Sequence, residues 1–142
     1  MIRENIILVC SKDYYHSRSK GDSSLSNLVR QDFVAFKNDL HMTRRWFNHH
    51  FSKPAVKVLA VLTVDNFNSV FSAIMNDAGL GIVASHLVKK ELQSGNLIHI
   101  KTDKADIVNT ISMLQLRDKV PTLTETVFVK FLIEAIQAMI QS

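Results

Sequence analysis

The chain has 142 residues, 46% of them hydrophobic and 21% charged, a balance typical of one globular domain or of part of a larger one. Its formal net charge is +4, and its Lys and Arg residues are scattered, which argues against nucleic-acid binding by charge alone. A single cysteine, Cys10, excludes an internal disulfide.

The amino-terminal part begins with one short apolar run. Residues 6–10 form this run, which predicts a first strand with Cys10 in the core. Five apolar residues are too few for a signal peptide or a membrane span, so we expect a cytoplasmic protein. Residues 11–23 are rich in Ser, Lys and Asp and predict a mobile polar loop. Ser24 is suited to cap a short helix, and residues 33–36 predict a second strand.

A strand-to-helix turn follows at residues 37–41, and it predicts a helix that ends before Pro54. The apolar spacing in this helix defines a buried side. The residues expected on that side are Met42, Trp46, Phe47 and Phe51, and those expected on the outer side are Arg44, Arg45, Asn48 and His49.

The central stretch predicts a β-α-β unit of a parallel sheet. Residues 56–62 are an almost unbroken aliphatic run, which predicts a strand buried on both faces. Asp65 is placed to cap the next helix, and Gly79 and Gly81 allow the tight turn into a further strand. In such sheets, ligands bind at the carboxyl ends of the strands. The apolar helix positions are 67, 70, 71, 74, 75 and 78.

The last third predicts a helix over residues 86–93 ended by Gly95, a short strand at 97–100 and a β-rich segment at 107–117. Thr122 and Glu125 have the spacing of a capping box and predict a final helix up to about residue 140. That helix is apolar around most of its circumference, so we expect it to be buried nearly all round, which indicates a missing partner. Its strongly polar residues are Lys130, Glu134, Gln137 and Gln141.

An ordered set of segments carries a family resemblance. The set comprises residues 7–13, 33–36, 64–66, 78–82 and 87–97, followed by the aromatic-rich final helix. In this order they resemble the effector-binding domain of LysR-type bacterial transcriptional regulators. The resemblance implies an α/β fold of the periplasmic-binding-protein type 2 class, with a mixed, mainly parallel sheet. In that fold two subdomains are joined by two crossing strands, and a small effector binds in the cleft.

The resemblance also implies a division of the chain. Residues 1–106 would form the second effector-binding subdomain with the first crossing strand, and residues 107–142 the return strand and helix of an incomplete first subdomain. The helix-turn-helix, its linker helix and the first half of the effector domain have no counterpart here. Residues 83–86 lack the proline that usually follows the Gly-Leu-Gly strand in the family, so the cleft edge departs from the family pattern there.

Three groups of polar residues are candidates for effector binding. The first is the turn at residues 37–43, where free amides at a helix start suit a carboxylate or similar anion, although an ordinary solvated turn has the same composition. Asp65 and Asn66 form the second group, with Asp65 also explained as a cap. Ser85 and His86 form the third, with Ser85 also explained as a cap. The candidates in the first group are Lys37, Asn38, Asp39, Leu40, His41 and Thr43.

Metal and enzyme chemistry find no support in the sequence. His49 and His50 are adjacent, and neighbouring helical side chains diverge by about 100° and do not converge on one ion. A Gly-x-Ser-x-Gly nucleophile elbow and a glycine-rich phosphate loop are both lacking. We therefore predict a non-enzymatic chain without a metal or other cofactor.

The leading hypothesis is the ligand-sensing and oligomerising part of a LysR-type regulator, which acts by effector-dependent rearrangement. Its partners would be a small anionic effector and either further copies or a full-length regulator, with no direct DNA or membrane contact. We expect weak or no effector binding by this chain alone, and self-association through the final helix. The alternatives are a free-standing interaction protein that associates with a full-length regulator, and a small solute-binding domain.

Overall fold

The structure is a computed structural model that describes residues 2–37 and 40–141 of the chain, without the side chains of residues 2, 40, 140 and 141. The chain divides into a larger unit, residues 4–109, and a smaller unit, residues 1–3 and 110–142. The elements are β1 (Ile2–Ser11), α1 (Lys12–Tyr14) with a π-helical turn (Tyr15–Ser19), α2 (Leu25–Leu28), β2 (Asp32–Phe36), α3 (Leu40–Phe51), β3 (Leu59–Val64), α4 (Phe67–Met75), β4 (Gly81–Ala84), a 3₁₀ turn (Ser85–Val88), α5 (Lys89–Ser94), β5 (Leu97–Ile100), β6 (Ile107–Ile111) and α6 (Leu123–Gln141).

The larger unit contains both antiparallel and parallel strand pairs, so the predicted mixed sheet is confirmed, but the described pairs around its central strand are antiparallel and not mainly parallel. β1 lies between β4 and β5 and runs antiparallel to both, and β6 also pairs with β1. β2 and β3 form a separate parallel pair. A parallel bridge between Phe33 and Leu80 joins this pair to the start of β4. In this bridge the Val34 N–H donates to the Leu80 carbonyl, and the Leu80 N–H donates to the Asp32 carbonyl, each at 2.8 Å. We call this junction the Leu80 seam.

Two hydrophobic clusters share the central strand. Because neighbouring side chains of a strand point to opposite faces, Leu8 and Cys10 enter one cluster while Ile7 and Val9 enter the other. The first cluster also contains Trp46 of α3, on the buried side predicted for that helix. Burial of residues 6–10 on both faces confirms the predicted core strand.

The prediction of a mobile polar loop at residues 11–23 was wrong for residues 11–19, which end β1 and form α1 and the π-helical turn. Ser11 caps α1 by accepting a hydrogen bond from the Tyr14 N–H at 3.0 Å. Tyr14 is buried, and its hydroxyl lies 3.1 Å from Oε1 of Gln31 as a hydrogen-bond donor. The polar composition of this segment did not indicate a helix. One cap and one buried aromatic side chain are enough to hold so short a helical stretch, so its other residues can be polar.

The prediction of a strand at residues 56–62 was right in type and wrong in position and burial. β3 starts at Leu59, which is 64% exposed, and Val61 is 48% exposed. Among the described residues β3 pairs only with β2, so it is an edge strand. The predicted cap was one residue early, because Asn66, not Asp65, accepts the hydrogen bond from the Ser69 N–H at 2.9 Å.

Three further predictions about helices are confirmed, whereas the length of one strand and the role of one cap were predicted wrongly. Ser24 caps α2, α3 spans the predicted helix, and Gly95 ends α5 with a positive φ of 78°. The β-rich segment was predicted too long, since β6 ends at Ile111. Ser85 is not a cap: it begins the 3₁₀ turn, which Ala84 precedes without a side-chain cap bond.

The smaller unit contains α6, and its predicted capping box is present. The Glu125 N–H donates to Oγ1 of Thr122 at 3.2 Å, and the Thr122 N–H donates to Oε2 of Glu125 at 2.9 Å. Burial on nearly all sides was wrong for the chain as it stands, because Leu123 is 81% and Phe131 66% exposed. Within the described residues, no helix has both the length and the apolar character needed to cross a membrane.

Candidate functional site

The parallel strands end together at one edge of the larger unit. Phe36 at the end of β2 pairs with Val64 at the end of β3, and the Lys37 N–H donates to the Val64 carbonyl at 2.5 Å. β4 is parallel to β2 at the Leu80 seam, so its last residue, Ala84, points to the same edge. We call this the carboxyl edge. α3 and α4 follow β2 and β3, so the positive ends of two helix dipoles face it.

The predicted effector residues that the structure describes all follow these strands. Lys37 and His41 are exposed after β2, and Thr43 is half-buried in the first turns of α3. Leu40 opens α3, with its side chain outside the described residues, where Asn38 and Asp39 also lie. The candidates after β3 and β4 are the exposed Asp65 and Asn66, the half-buried Ser85 and the exposed His86.

An apolar pocket of about 260 Å³ lies at the carboxyl edge. Phe36 and Ala84 end two strands, Phe67 begins α4, and Met42 comes from the first turns of α3. Sequence reasoning did not assign these four residues to a site, and the signal that could have found them is their place at the strand ends and helix starts. The remaining lining residues are Ile6, Val34, Val70, Ile82 and Val83.

The carboxylate of Glu4 on β1 lies beside one of the predicted residues. Oε1 of Glu4 accepts a hydrogen bond from Nδ2 of Asn109 in β6 at 2.7 Å, and Oε2 lies 3.3 Å from Nδ1 of His86. The Glu4 side chain is only 12% exposed. It thus joins β1, β6 and the 3₁₀ turn after β4. Sequence reasoning missed Glu4, because nothing in the sequence distinguishes a single acid near the amino terminus.

The side chains at the carboxyl edge are suited to binding a small ligand. Lys37 offers a cationic group, Asn66 and Ser85 offer neutral polar groups, and the pocket below is apolar. Burial raises the pKa of Cys10 to about 12, so its thiol is not a nucleophile at neutral pH. In the described part of the chain, no three His, Cys, Asp or Glu side chains converge so as to hold a metal ion. The arrangement can bind a small molecule that has an apolar body and a polar or charged group.

The chain matches one protein family in sequence and several solved structures in fold. The sequence profile of the LysR substrate binding domain matches residues 1–137. Comparison with curated proteins found no match. Solved structures resemble the chain at 11–19% sequence identity, which establishes similarity of fold.

Regulatory domains of transcriptional regulators are among these structures. The regulatory domain of CrgA, a LysR-type transcriptional regulator from Neisseria meningitidis, has a TM-score of 0.70 at 19% identity and is matched over 95% of this chain and 66% of its own. The CcmR regulatory domain of Synechocystis PCC6803, in complex with 2-PG, has a TM-score of 0.69 at 16% identity over 95% and 64%. Full CrgA is matched over 46% of its length, at a TM-score of 0.72 and 17% identity. The chain therefore spans less than two thirds of each of these structures.

Proposed function

Because this chain belongs to the LysR substrate-binding domain family, whose members are effector-binding regulatory domains of transcriptional regulators, we propose that it binds a small effector at the carboxyl edge and takes part in transcription control. Regulatory domains of this family are not enzymes. In keeping with the family, the proposal places the chain in the bacterial cytoplasm and assigns it no DNA contact of its own.

The single observation that carries the proposal is the apolar pocket with polar residues around it. Three parallel strands and two helix starts converge there, which is where ligands bind in sheets of this kind. Lys37, Asn66 and Ser85 supply polar contacts at the ends of those strands. The predicted residues and the pocket come from different lines of argument, and both point to the same edge.

We assign to the effector a compact apolar body and one acidic group. The lining by Phe36, Met42 and Phe67 suits the apolar body, and burial of that surface drives its binding. The acidic group would lie near Lys37 and the first turn of α3, where the positive end of the helix dipole favours negative charge. His86, held by Glu4, would lie on the opposite side.

Effector binding would shift the equilibrium between two arrangements of the domain. The size of that shift is limited by the difference between the effector's affinities for the two arrangements. Glu4 is placed to take part, because one carboxylate touches both crossing strands and His86. In this proposal residues 1–106 are the second effector subdomain with its crossing strand, and residues 107–142 return to the first subdomain. The full cleft would then need residues from outside this chain, so binding by the chain alone is weak.

A charge-matched pair of probes tests the site. Cyclohexanecarboxylate and its uncharged amide have the same body and differ in the acidic group. We expect the carboxylate to bind more tightly than the amide, and Lys37→Gln to remove most of that difference. Lys90→Gln, at an exposed position on α5, is the matched control. Equal binding of both probes, or equal effects of both variants, would contradict the acidic-group assignment.

Association with other chains is the second part of the proposal. α6 leaves Leu123, Val127, Phe128 and Phe131 exposed, a set larger than a soluble helix normally shows to water. We propose that this surface pairs either with another copy or with a full-length regulator. Sedimentation should show association of the wild-type chain, weakened by Phe131→Glu and kept in Lys130→Glu. A monomer that persists at high concentration would contradict this part.

The exposed helix also favours one alternative function, an interaction protein that modulates a full-length regulator. Pull-down from the native cell distinguishes this alternative from the proposed function. Capture of a full-length regulator as the partner supports modulation. Tight effector binding by a stable monomer would instead support a small solute-binding domain.

A further inference from the structure

The end of α3 is joined to the segment between β5 and β6 by a set of polar contacts. Nδ1 of His50 lies 2.6 Å from Oγ1 of Thr102, and Nε2 of His49 donates to the Ala105 carbonyl at 2.8 Å. Nζ of Lys104 donates to the His49 carbonyl at 3.0 Å. We call His49, His50 and residues 101–106 the α3 clasp. Its contacts join two parts of the chain that lie more than fifty residues apart.

His50 is the buried member of the clasp. It is 6% exposed, and its ring lies 4.2 Å from the Trp46 ring between centroids. Its Nε2 is buried and has no hydrogen-bond partner in the described part of the chain. Protonation would put a donor and a charge at that unpartnered atom, which is costly in a buried place. The closed clasp therefore strongly favours a neutral His50.

The charges around His50 act in the same direction, with one exception. His49 on α3, Lys104 in the segment and His99 on β5 disfavour its protonation, whereas Asp106 favours it. Burial is the largest cause, and together these lower the pKa of His50 to about 4. Asp106 is already engaged by Nε2 of His99 at 3.1 Å. Protonation of His99 would tighten that contact and not open the clasp, whereas His50 is the buried clasp member whose protonation burial disfavours.

We infer that the α3 clasp is a proton-sensitive latch, closed while His50 is neutral and opened when His50 takes up a proton. Opening would release Thr102, Lys104 and Ala105 from the end of α3. The released segment leads directly into β6, which starts at Ile107 and carries the chain out of the larger unit.

The position of the clasp indicates a role in coupling the effector site to β6, and this role rests on the proposed function. The first turns of α3 hold His41 and Thr43 of the proposed effector site, and its last turn holds the clasp. One helix therefore connects the effector site with the segment that enters a crossing strand. A closed clasp would transmit a displacement of α3 to β6, and an open one would not.

Hydrogen exchange of the 142-residue chain tests the latch without any effector. The open clasp leaves His50 at the ordinary pKa of 6.5, so its opening constant should rise about twentyfold between pH 7 and pH 5. After correction for intrinsic exchange, peptides covering residues 49–53, whose amides are bonded in the end of α3 that the clasp holds, should lose about twentyfold in protection. His50→Asn, which keeps a group near Nδ1 and cannot be protonated, should lose less than about threefold.

Two further variants keep the test decisive. His16→Asn changes an exposed histidine on the π-helical turn and should follow the wild-type pH profile. Thr102→Val removes the hydroxyl that faces His50 and should open the clasp at pH 7 as well as at pH 5. Equal wild-type protection at both pH values, or a wild-type profile in His50→Asn, would overturn the latch, as would full protection of Thr102→Val. Since no effector is used, these outcomes leave the effector-site proposal to its own test.

Discussion

Gly79→Ala should separate the parallel strand pair from the rest of the sheet. Gly79 has φ +153°, which side chains rarely adopt, and an added Cβ would overlap the backbone of Asp32, with the carbonyl carbon at 2.7 Å. That carbonyl accepts the Leu80 N–H, so the overlap lies at the Leu80 seam. Loss of its two hydrogen bonds costs about 2 kcal/mol, and backbone strain adds about 1–3 kcal/mol.

The matched control is Gly95→Ala. Gly95 also has a positive φ, +78°, but an added Cβ there meets no atom within 4 Å, so only the backbone cost of about 1–2 kcal/mol remains. Urea unfolding of both variants, followed by circular dichroism, measures the difference. We expect Gly79→Ala to lose about 3–5 kcal/mol and to exceed Gly95→Ala clearly. Equal losses would refute the view that the seam holds the carboxyl edge together.

Three further predictions follow from single contacts. Cys10 should not react with a thiol reagent at pH 8 until the chain unfolds, because burial raises its pKa to about 12; fast reaction in the native chain would contradict its place in the core. Thr122→Ala should destabilise α6 by about 1 kcal/mol, since the capping box is lost, and thermal melting followed by circular dichroism would show an unchanged α6 if the cap were irrelevant. Arg18→Gln should leave the urea midpoint of unfolding nearly unchanged, because the Arg18 side chain in its ion pair with Asp32 is 63% exposed; a clear drop in that midpoint would contradict this.

Local chemistry decided which elements could be predicted. Thr122 and Glu125 predicted the start of α6 because both halves of a capping box lie within four residues. Trp46 and Phe47 predicted the buried side of α3 through helical spacing alone. The position of β3 at the sheet edge depends on strand order, which an aliphatic run does not encode, so its exposure was missed.

The candidate site could also be predicted only where its residues depend on local sequence. Lys37, Asp65 and Ser85 could be placed at strand ends because each follows a predicted strand and the resemblance gave the sheet its direction. The pocket below them needs side chains from β2, α3, α4 and β4 to meet, which only the folded chain defines. Glu4 and the α3 clasp join residues far apart in sequence, so no local pattern indicated either.

Nuclear magnetic resonance titration of the ¹⁵N-labelled chain with cyclohexanecarboxylate tests the central claim, effector binding at the carboxyl edge, most directly. We predict weak, saturable shifts of the backbone amides of Lys37, His41, Asn66 and Ser85, with little change in α5 or β5. Filling the pocket by Ala84→Phe should abolish these shifts in a chain that stays folded. Saturable shifts confined to residues away from this edge, or no shifts at tens of millimolar ligand, would contradict it.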